Sequence, residues 1–222
     1  MIENYENKSL IGAVNLSKTF NKQKVLKNVS IDFNAGERIS LSGPNGAGKT
    51  TLIRCILGQY TYEGELNVLG LNPQKHHEDI MKEVGFVPQI PPPLKMTVKE
   101  MFDFFSKLTD TPSENFLKIS TDLGLMVKDN YKKPFLKLSG GMKQKLLVAF
   151  ALGRNPKILL MDEPSANLDP KAREVFFDYL KNYDKDTLMI LSSHRISEIS
   201  VLVNRAVEMD LGEVVSDKII SS

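Results

Sequence analysis

The chain has 222 residues, 41% of them hydrophobic and 25% charged, which suits one sizeable domain or a domain carrying an inserted subdomain. A net charge of +2 gives no electrostatic case for binding nucleic acid, and none is expected as a partner. A single cysteine, Cys55, rules out an intrachain disulfide framework; it reads as a small buried apolar side chain in a reducing compartment.

Met1–Lys8 carries acidic residues and no apolar core, so no secretory signal is expected there. The longest apolar run, Leu146–Leu152, is too short to cross a bilayer, so any membrane span is expected from another chain. Leu10–Leu16 and Val29–Phe33 alternate as strands do, with Asn21–Lys24 as a polar turn between them. Arg38–Ser42 is a short strand leading into a glycine-rich loop, and Thr50–Leu57 reads as a helix stopped by Gly58. Glu65–Leu69 and Val84–Val87 are further strands. His76 and His77 lack a matching acid or cysteine pattern and read as a solvated loop, not a metal site.

The texture changes at Pro88 and Pro91–Pro93. Helical patterns follow from Val98 to about Gly153, with Met101, Phe102, Phe105 and Leu108 at helical spacing. Ile158–Met161, Thr187–Leu191 and Val203–Met209 return to strand character, with a helix at Lys171–Tyr183 and a final strand around Glu213–Val215. A β-rich start, a helical stretch and a β/α finish imply an α/β nucleotide-binding core with a helical subdomain spliced in.

The segment Gly43-Pro44-Asn45-Gly46-Ala47-Gly48-Lys49-Thr50 fits G-x-x-x-x-G-K-[ST] at every fixed position. Its glycines allow backbone N–H groups to approach phosphate oxygens, and a helix starting near Lys49 aims free N–H groups at an anion. Lys49 is expected to bridge the β- and γ-phosphates, the Thr50 hydroxyl to ligate Mg²⁺, and Thr51 to touch the α-phosphate. Ile158–Pro164 reads as a buried-type strand ending in two acids, Asp162 and Glu163. Asp162 is expected to hold Mg²⁺ through water, and Glu163 to act as general base on the attacking water. These two acids by themselves fit phosphoryl transfer to a substrate as well as hydrolysis.

Leu138-Ser139-Gly140-Gly141-Met142-Lys143-Gln144 precedes a strongly apolar helical stretch. Ser139 is a natural N-cap, and the glycines expose N–H groups at a helix start, so the same physics makes a second anion site. With this segment the chain resembles, along nearly its whole length, the nucleotide-binding subunit of an ATP-binding cassette (ABC) transporter. Leu138–Gln144 matches that family's LSGGQ-type motif with Met142 in the usual Gln place. Gly43–Thr50 matches the Walker A loop and Ile158–Glu163 the Walker B strand. Gln89 matches the Q-loop, Asp169 in Ser165–Asp169 the D-loop, and His194 the switch histidine. Phe20 lies where the family places an aromatic that stacks on adenine, although Tyr is commoner there.

The resemblance implies an α/β P-loop NTPase (RecA-like) core with an N-terminal antiparallel β subdomain and an inserted α-helical subdomain. Residues 1–88 and 154–222 would form the catalytic core and 89–153 the helical insert. It implies ATP and Mg²⁺ as ligands, with Thr50, Gln89 and Asp162 around the metal. It also implies a head-to-tail dimer in which Ser139 and Gly141 grip the γ-phosphate held by a second copy, with Gly140 also at that nucleotide. Asp169 would stabilise that interface and His194 would position the γ-phosphate and water. Integral membrane permease subunits would be the partners, at the cytoplasmic face of a membrane, with Pro91–Phe105 lining part of a groove for a partner's helix. Val68–Pro73 and Gly85–Gln89 resemble exporter-like drug- and copper-processing cassettes that pair with ABC-2-type permeases, and some metal-import cassettes read similarly, so export is set only slightly above import. The alternative function is an ABC ATPase that drives a membrane complex mechanically without moving a substrate.

Overall fold

The computed structural model describes residues 9–193 and 200–220. Two strands of twelve residues open the chain, β1 (Ser9–Phe20) and β2 (Gln23–Asn34), both longer than their alternation suggests. Their turn is only Asn21-Lys22, with φ 44° and 69°. Positive φ at both central residues is the type I′ turn whose twist matches that of a hairpin. β4 (Glu63–Val68) pairs with β1, giving an antiparallel sheet of order β2-β1-β4.

A second sheet has six strands in the order β5-β6-β7-β3-β8-β9. β3 (Arg38–Ser42), β5 (Val84–Val87), β6 (Ile158–Asp162), β7 (Leu188–Ser192) and β8 (Arg205–Asp210) run parallel, and β9 (Glu213–Ile219) pairs antiparallel at the edge. β6 and β7 are buried at every position, as parallel strands covered on both faces must be. Ile158, Leu160, Leu188 and Ile190 join one core with Ile39, Leu41 and the small sheet's Ile11, Leu16 and Phe33. The alternate residues Leu159, Met161, Met189 and Leu191 join a second core. That core is completed by Phe176 and Leu180 of α7 (Pro170–Lys181) and by Val148 and Leu152 of α6 (Gly140–Gly153).

The first core also takes in Leu52, Ile53 and Cys55 of α1 (Lys49–Ile56), and burial pushes the Cys55 thiol up to about 11. α2 (His77–Glu83) corrects the reading of His76-His77 as a loop: His77 opens a short helix. Its pattern is nearly silent because Ile80 is its one buried residue. Both histidines are exposed, and no metal-binding cluster occurs among the described residues.

The helical stretch resolves into α3 (Val98–Thr109), α4 (Ser113–Asp122), the short α5 (Val127–Asn130), a 3₁₀ turn at Phe135–Lys137 and α6. Thr97 and Glu100 form a reciprocal capping box at the start of α3. Phe102, Phe116, Phe135 and Phe150 make a third, aromatic core. α6 feeds both neighbours: Leu146, Leu147 and Phe150 enter this core while Val148 and Leu152 enter the second. Among the described residues no helix is long and apolar enough to cross a membrane.

Candidate functional site

The carboxyl ends of β3, β6 and β7 lie side by side, and that is where a ligand crevice forms in a parallel sheet. The loop after β3 begins at Gly43, whose φ is 137° and whose missing Cβ would lie 2.0 Å from the Met209 carbonyl oxygen, so only glycine fits. Gly48 is the N-cap of α1 and offers no side chain to cap it. The first N–H groups of α1 therefore stay open to an anion. The far side of the loop is tied down by the turn after β8, where the Gly212 N–H donates to the Ala47 carbonyl at 3.1 Å.

Asn45, Gly46, Ala47, Gly48, Lys49, Thr50 and Thr51 line a cleft together with Val25, Gln89, Asp162 and Glu163. Gly43 and Pro44 contribute differently: their carbonyls accept from Lys49 Nζ at 2.6 and 3.0 Å. Lys49 is 8% exposed. Burial lowers its pKa, and the carboxylates of Glu163 and Asp162 oppose that shift.

The Thr50 hydroxyl donates to Asp162 Oδ2 at 2.7 Å. The other Asp162 oxygen accepts from the Ser192 hydroxyl, directly opposite in the β6–β7 register. Ser192 also takes the Glu163 N–H, on its carbonyl at 3.1 Å and its hydroxyl at 3.3 Å. Glu163 itself has φ 50°, a left-handed backbone that costs a non-glycine residue roughly 1–3 kcal/mol. Glu163 is therefore held at a sharp corner, lining the cleft beside Thr50 and Lys49.

These residues fit a metal-bound triphosphate. Gly43 leaves no room for a Cβ, a lysine is parked on its own loop's carbonyls, and a hydroxyl and a carboxylate adjoin at one edge. Magnesium keeps most of its oxygen ligands from phosphate and water and needs few from protein.

Of the other sequence-predicted residues, Ser139, Gly140, Gly141, Asp169 and Phe20 do not line this cleft. Ser139 caps α6, its Oγ accepting the Met142 N–H at 3.2 Å, and with Gly140 it lies exposed. Gly141 follows in the first turn of α6. Asp169 caps α7 by accepting from the Ala172 N–H at 3.0 Å and pairs with Lys145 at 2.6 Å, contacts that hold its carboxyl below the usual range. Phe20 sits at the hairpin tip, edge-on to Tyr60 at 5.1 Å, with Lys18 Nζ 4.7 Å from its ring. His194 lies outside the described residues. Sequence reasoning overlooked Val25 and Ser192. Val25 could have been found as the half-exposed apolar position next to buried Leu26 in β2, and Ser192 as the polar end of an apolar strand.

The parallel sheet, the loop after β3 and the carboxylates ending β6 define a P-loop nucleoside triphosphatase. A family model described as ABC transporter matches residues 26–166, more than half of the chain, and the chain belongs to the ABC transporter family. The phosphate import ATP-binding protein PstB 1 of Enterococcus faecalis is 28% identical over 227 residues, covering 94% of this chain and 89% of that protein. The Nod factor export ATP-binding protein I of Rhizobium meliloti is 30% identical over 220 residues; the match covers 93% of this chain but 63% of that protein. The dimeric bacterial ABC transporter cassette MJ0796 superposes with a TM-score of 0.80 at 26% identity, covering 96% of this chain and 99% of that one. The same cassette is known in a post-hydrolysis state bound to ADP and Pi, with a TM-score of 0.80 at 25% identity. This chain is an ATP-binding ATPase of that family.

Proposed function

We propose that the chain is the ATP-hydrolysing subunit of a membrane transport complex and works as a head-to-tail pair of copies. One observation carries the pairing. The anion-ready turn at Ser139–Gly141 lies outside the cleft of Lys49, Thr50, Asp162 and Glu163, so each chain holds two halves that do not meet. In a head-to-tail pair, Ser139 and Gly141 of the partner subunit close over the γ-phosphate that Lys49 holds, and Asp169 braces the seam. Glu163 takes a proton from the attacking water. Gln89 and His194 orient that water and the γ-phosphate, and either Phe20 or Val25 contacts adenine. Thr50, Gln89 and Asp162 would hold Mg²⁺, which would supply charge neutralisation on the phosphates.

A mainly apolar groove of about 580 Å³, lined by Phe86, Ile90, Pro91–Pro93, Phe105, Phe150 and Arg154 among others, supports docking of a permease's cytoplasmic helix. Residues 89–153 would then be the coupling insert, and 1–88 with 154–222 the core, at the cytoplasmic face of a membrane. Relatives named for import and for export occur at similar identity. Export is supported by Val68–Pro73 and Gly85–Gln89 alone.

Glu163→Gln tests the core of this reading. It should bind ATP with near-normal affinity, lose turnover by about 10²–10⁴-fold, and elute as an ATP-dependent dimer in size-exclusion chromatography. Normal turnover removes Glu163 as the base, and a monomer at saturating ATP removes the pairing. Co-purification of a partner with a large extracytoplasmic domain and no transported substrate would favour the mechanical alternative.

A further inference from the structure

Gln144 lies in the second turn of α6 and is completely buried. Its Nε2 donates to the Pro164 carbonyl at 2.9 Å, while its Oε1 has no hydrogen-bond partner among the described residues. Pro164 directly follows Glu163, so this bond anchors the peptide that leaves the left-handed corner.

Two neighbours strengthen the tie. Lys145, its side chain 12% exposed, pairs with Asp169 at 2.6 Å. Gly141 approaches the Asn167 carbonyl so closely that a Cβ there would lie 2.9 Å from it. Residues 141, 144 and 145 share one face of a helix. That face is therefore bonded to residues 164–169 at two points and packed close to them at a third, and those residues run on from Glu163.

A purely space-filling role at this position would suit leucine or methionine. A buried amide with an unpaired oxygen is costly, and its one bond is to the residue after the proposed base. We infer that Gln144 is a positioning residue for hydrolysis. By holding the Pro164 carbonyl it sets the Glu163 corner. Through α6 it makes the Ser139–Gly141 turn and Glu163 of the same chain one mechanical unit. Seating a nucleotide on that turn would then register at the same chain's own hydrolytic site. The inference rests on Glu163 being the base.

The test uses the full chain. Gln144→Leu removes the donor and the orphan oxygen together; Gln144→Glu keeps the shape but is acceptor-only when ionised. Both should lower kcat at least tenfold, with KM and the ATP dissociation constant within twofold of wild type. The Leu variant should melt within a few degrees of wild type. A merely structural residue would instead lower Tm and ATP affinity along with kcat, and that result overturns the inference. So does a folded variant whose kcat is within twofold of wild type. If the Leu variant fails to fold, the kcat-against-KM split of the Glu variant decides. Glu163→Gln is assayed in parallel. If it is fully active, the base assignment fails; if it is inactive while Gln144→Leu turns over normally, only the role of Gln144 fails.

Discussion

The Thr50 hydroxyl and the Asp162 carboxylate, 112 residues apart in sequence, meet at 2.7 Å. Asp162 is also held from its other side by Ser192, so neither oxygen is free to turn. The glycine loop after β3 and the carboxylate that ends β6 are thereby brought edge to edge. Pre-set geometry of this kind saves reorganisation at the moment of reaction.

Asp162→Asn should raise the magnesium concentration for half-maximal ATPase activity at least tenfold. The amide keeps the volume but removes the charge, and its NH₂ must face one of two hydroxyls that now donate to the carboxylate. A magnesium titration at saturating ATP measures this; an unchanged half-saturation point would take Asp162 out of the metal site.

Lys49→Ala should weaken ATP binding at least a hundredfold in titration calorimetry. The wild-type ammonium rests on the Gly43 and Pro44 carbonyls and needs only to swing outward to meet phosphate. ATP at about a hundred times its dissociation constant should stabilise the wild type by about 2.7 kcal/mol, and thermal melts should show the variant losing that gain. Equal ATP-induced shifts in both proteins would contradict the phosphate-loop reading.

A third prediction concerns stability. Arg205 binds Asp217 through both carboxylate oxygens at 2.8 and 2.6 Å, and reaches Glu37 at 2.7 Å and the Asp32 carbonyl at 2.8 Å. The pair fastens β9 to β8, and the Arg205 hydrogen bonds hold the Asp217 carboxyl below its ordinary 3.8. A depressed folded pKa adds stability above the unfolded value, and that stability is lost as pH falls through the folded value. Asp217→Asn should therefore destabilise at pH 7, by no more than about 1 kcal/mol because the carboxylate is partly solvated. Its deficit against wild type should shrink as pH drops below about 4. Melting curves from pH 7 to pH 3 give the comparison; a constant gap would mean the ion pair contributes nothing through its charge.

The phosphate loop was legible because chemistry restricts residue types at fixed spacing: Gly43, Lys49 and Thr50 have few substitutes. The central strands were legible because both faces are buried, which leaves an unbroken apolar run such as Ile158–Met161. The ends of β1 and β2 were not, since Ser17–Thr19 and Lys24 continue the strands with polar residues that carry no periodic signal. The bond from Gln144 to Pro164 was equally invisible: the glutamine's place in a motif could be read, but its partner depends on how α6 packs against the end of β6. Phe20 shows the converse. Its motif position suggested a base-stacking platform, while its contact with Tyr60 is set by tertiary packing and Lys18 shares its face of β1.

The groove beside α3 yields the last prediction. Its apolar wall includes Phe105, stacked on Phe150 at 4.4 Å, and substituting either ring would damage the aromatic core as well as the groove. Ile90 separates the two effects, because it lines the groove yet is 77% exposed. Replacing it with aspartate removes little buried surface, so stability should change by less than about 0.5 kcal/mol. A charge at the rim must be desolvated if the proposed permease helix seats there, which should lower binding of that permease at least tenfold. Affinity purification in detergent with the co-expressed permease measures the loss, and a melting curve of the isolated chain checks that folding is intact. Full recovery of the permease by a normally folded Ile90→Asp chain would move the docking surface elsewhere.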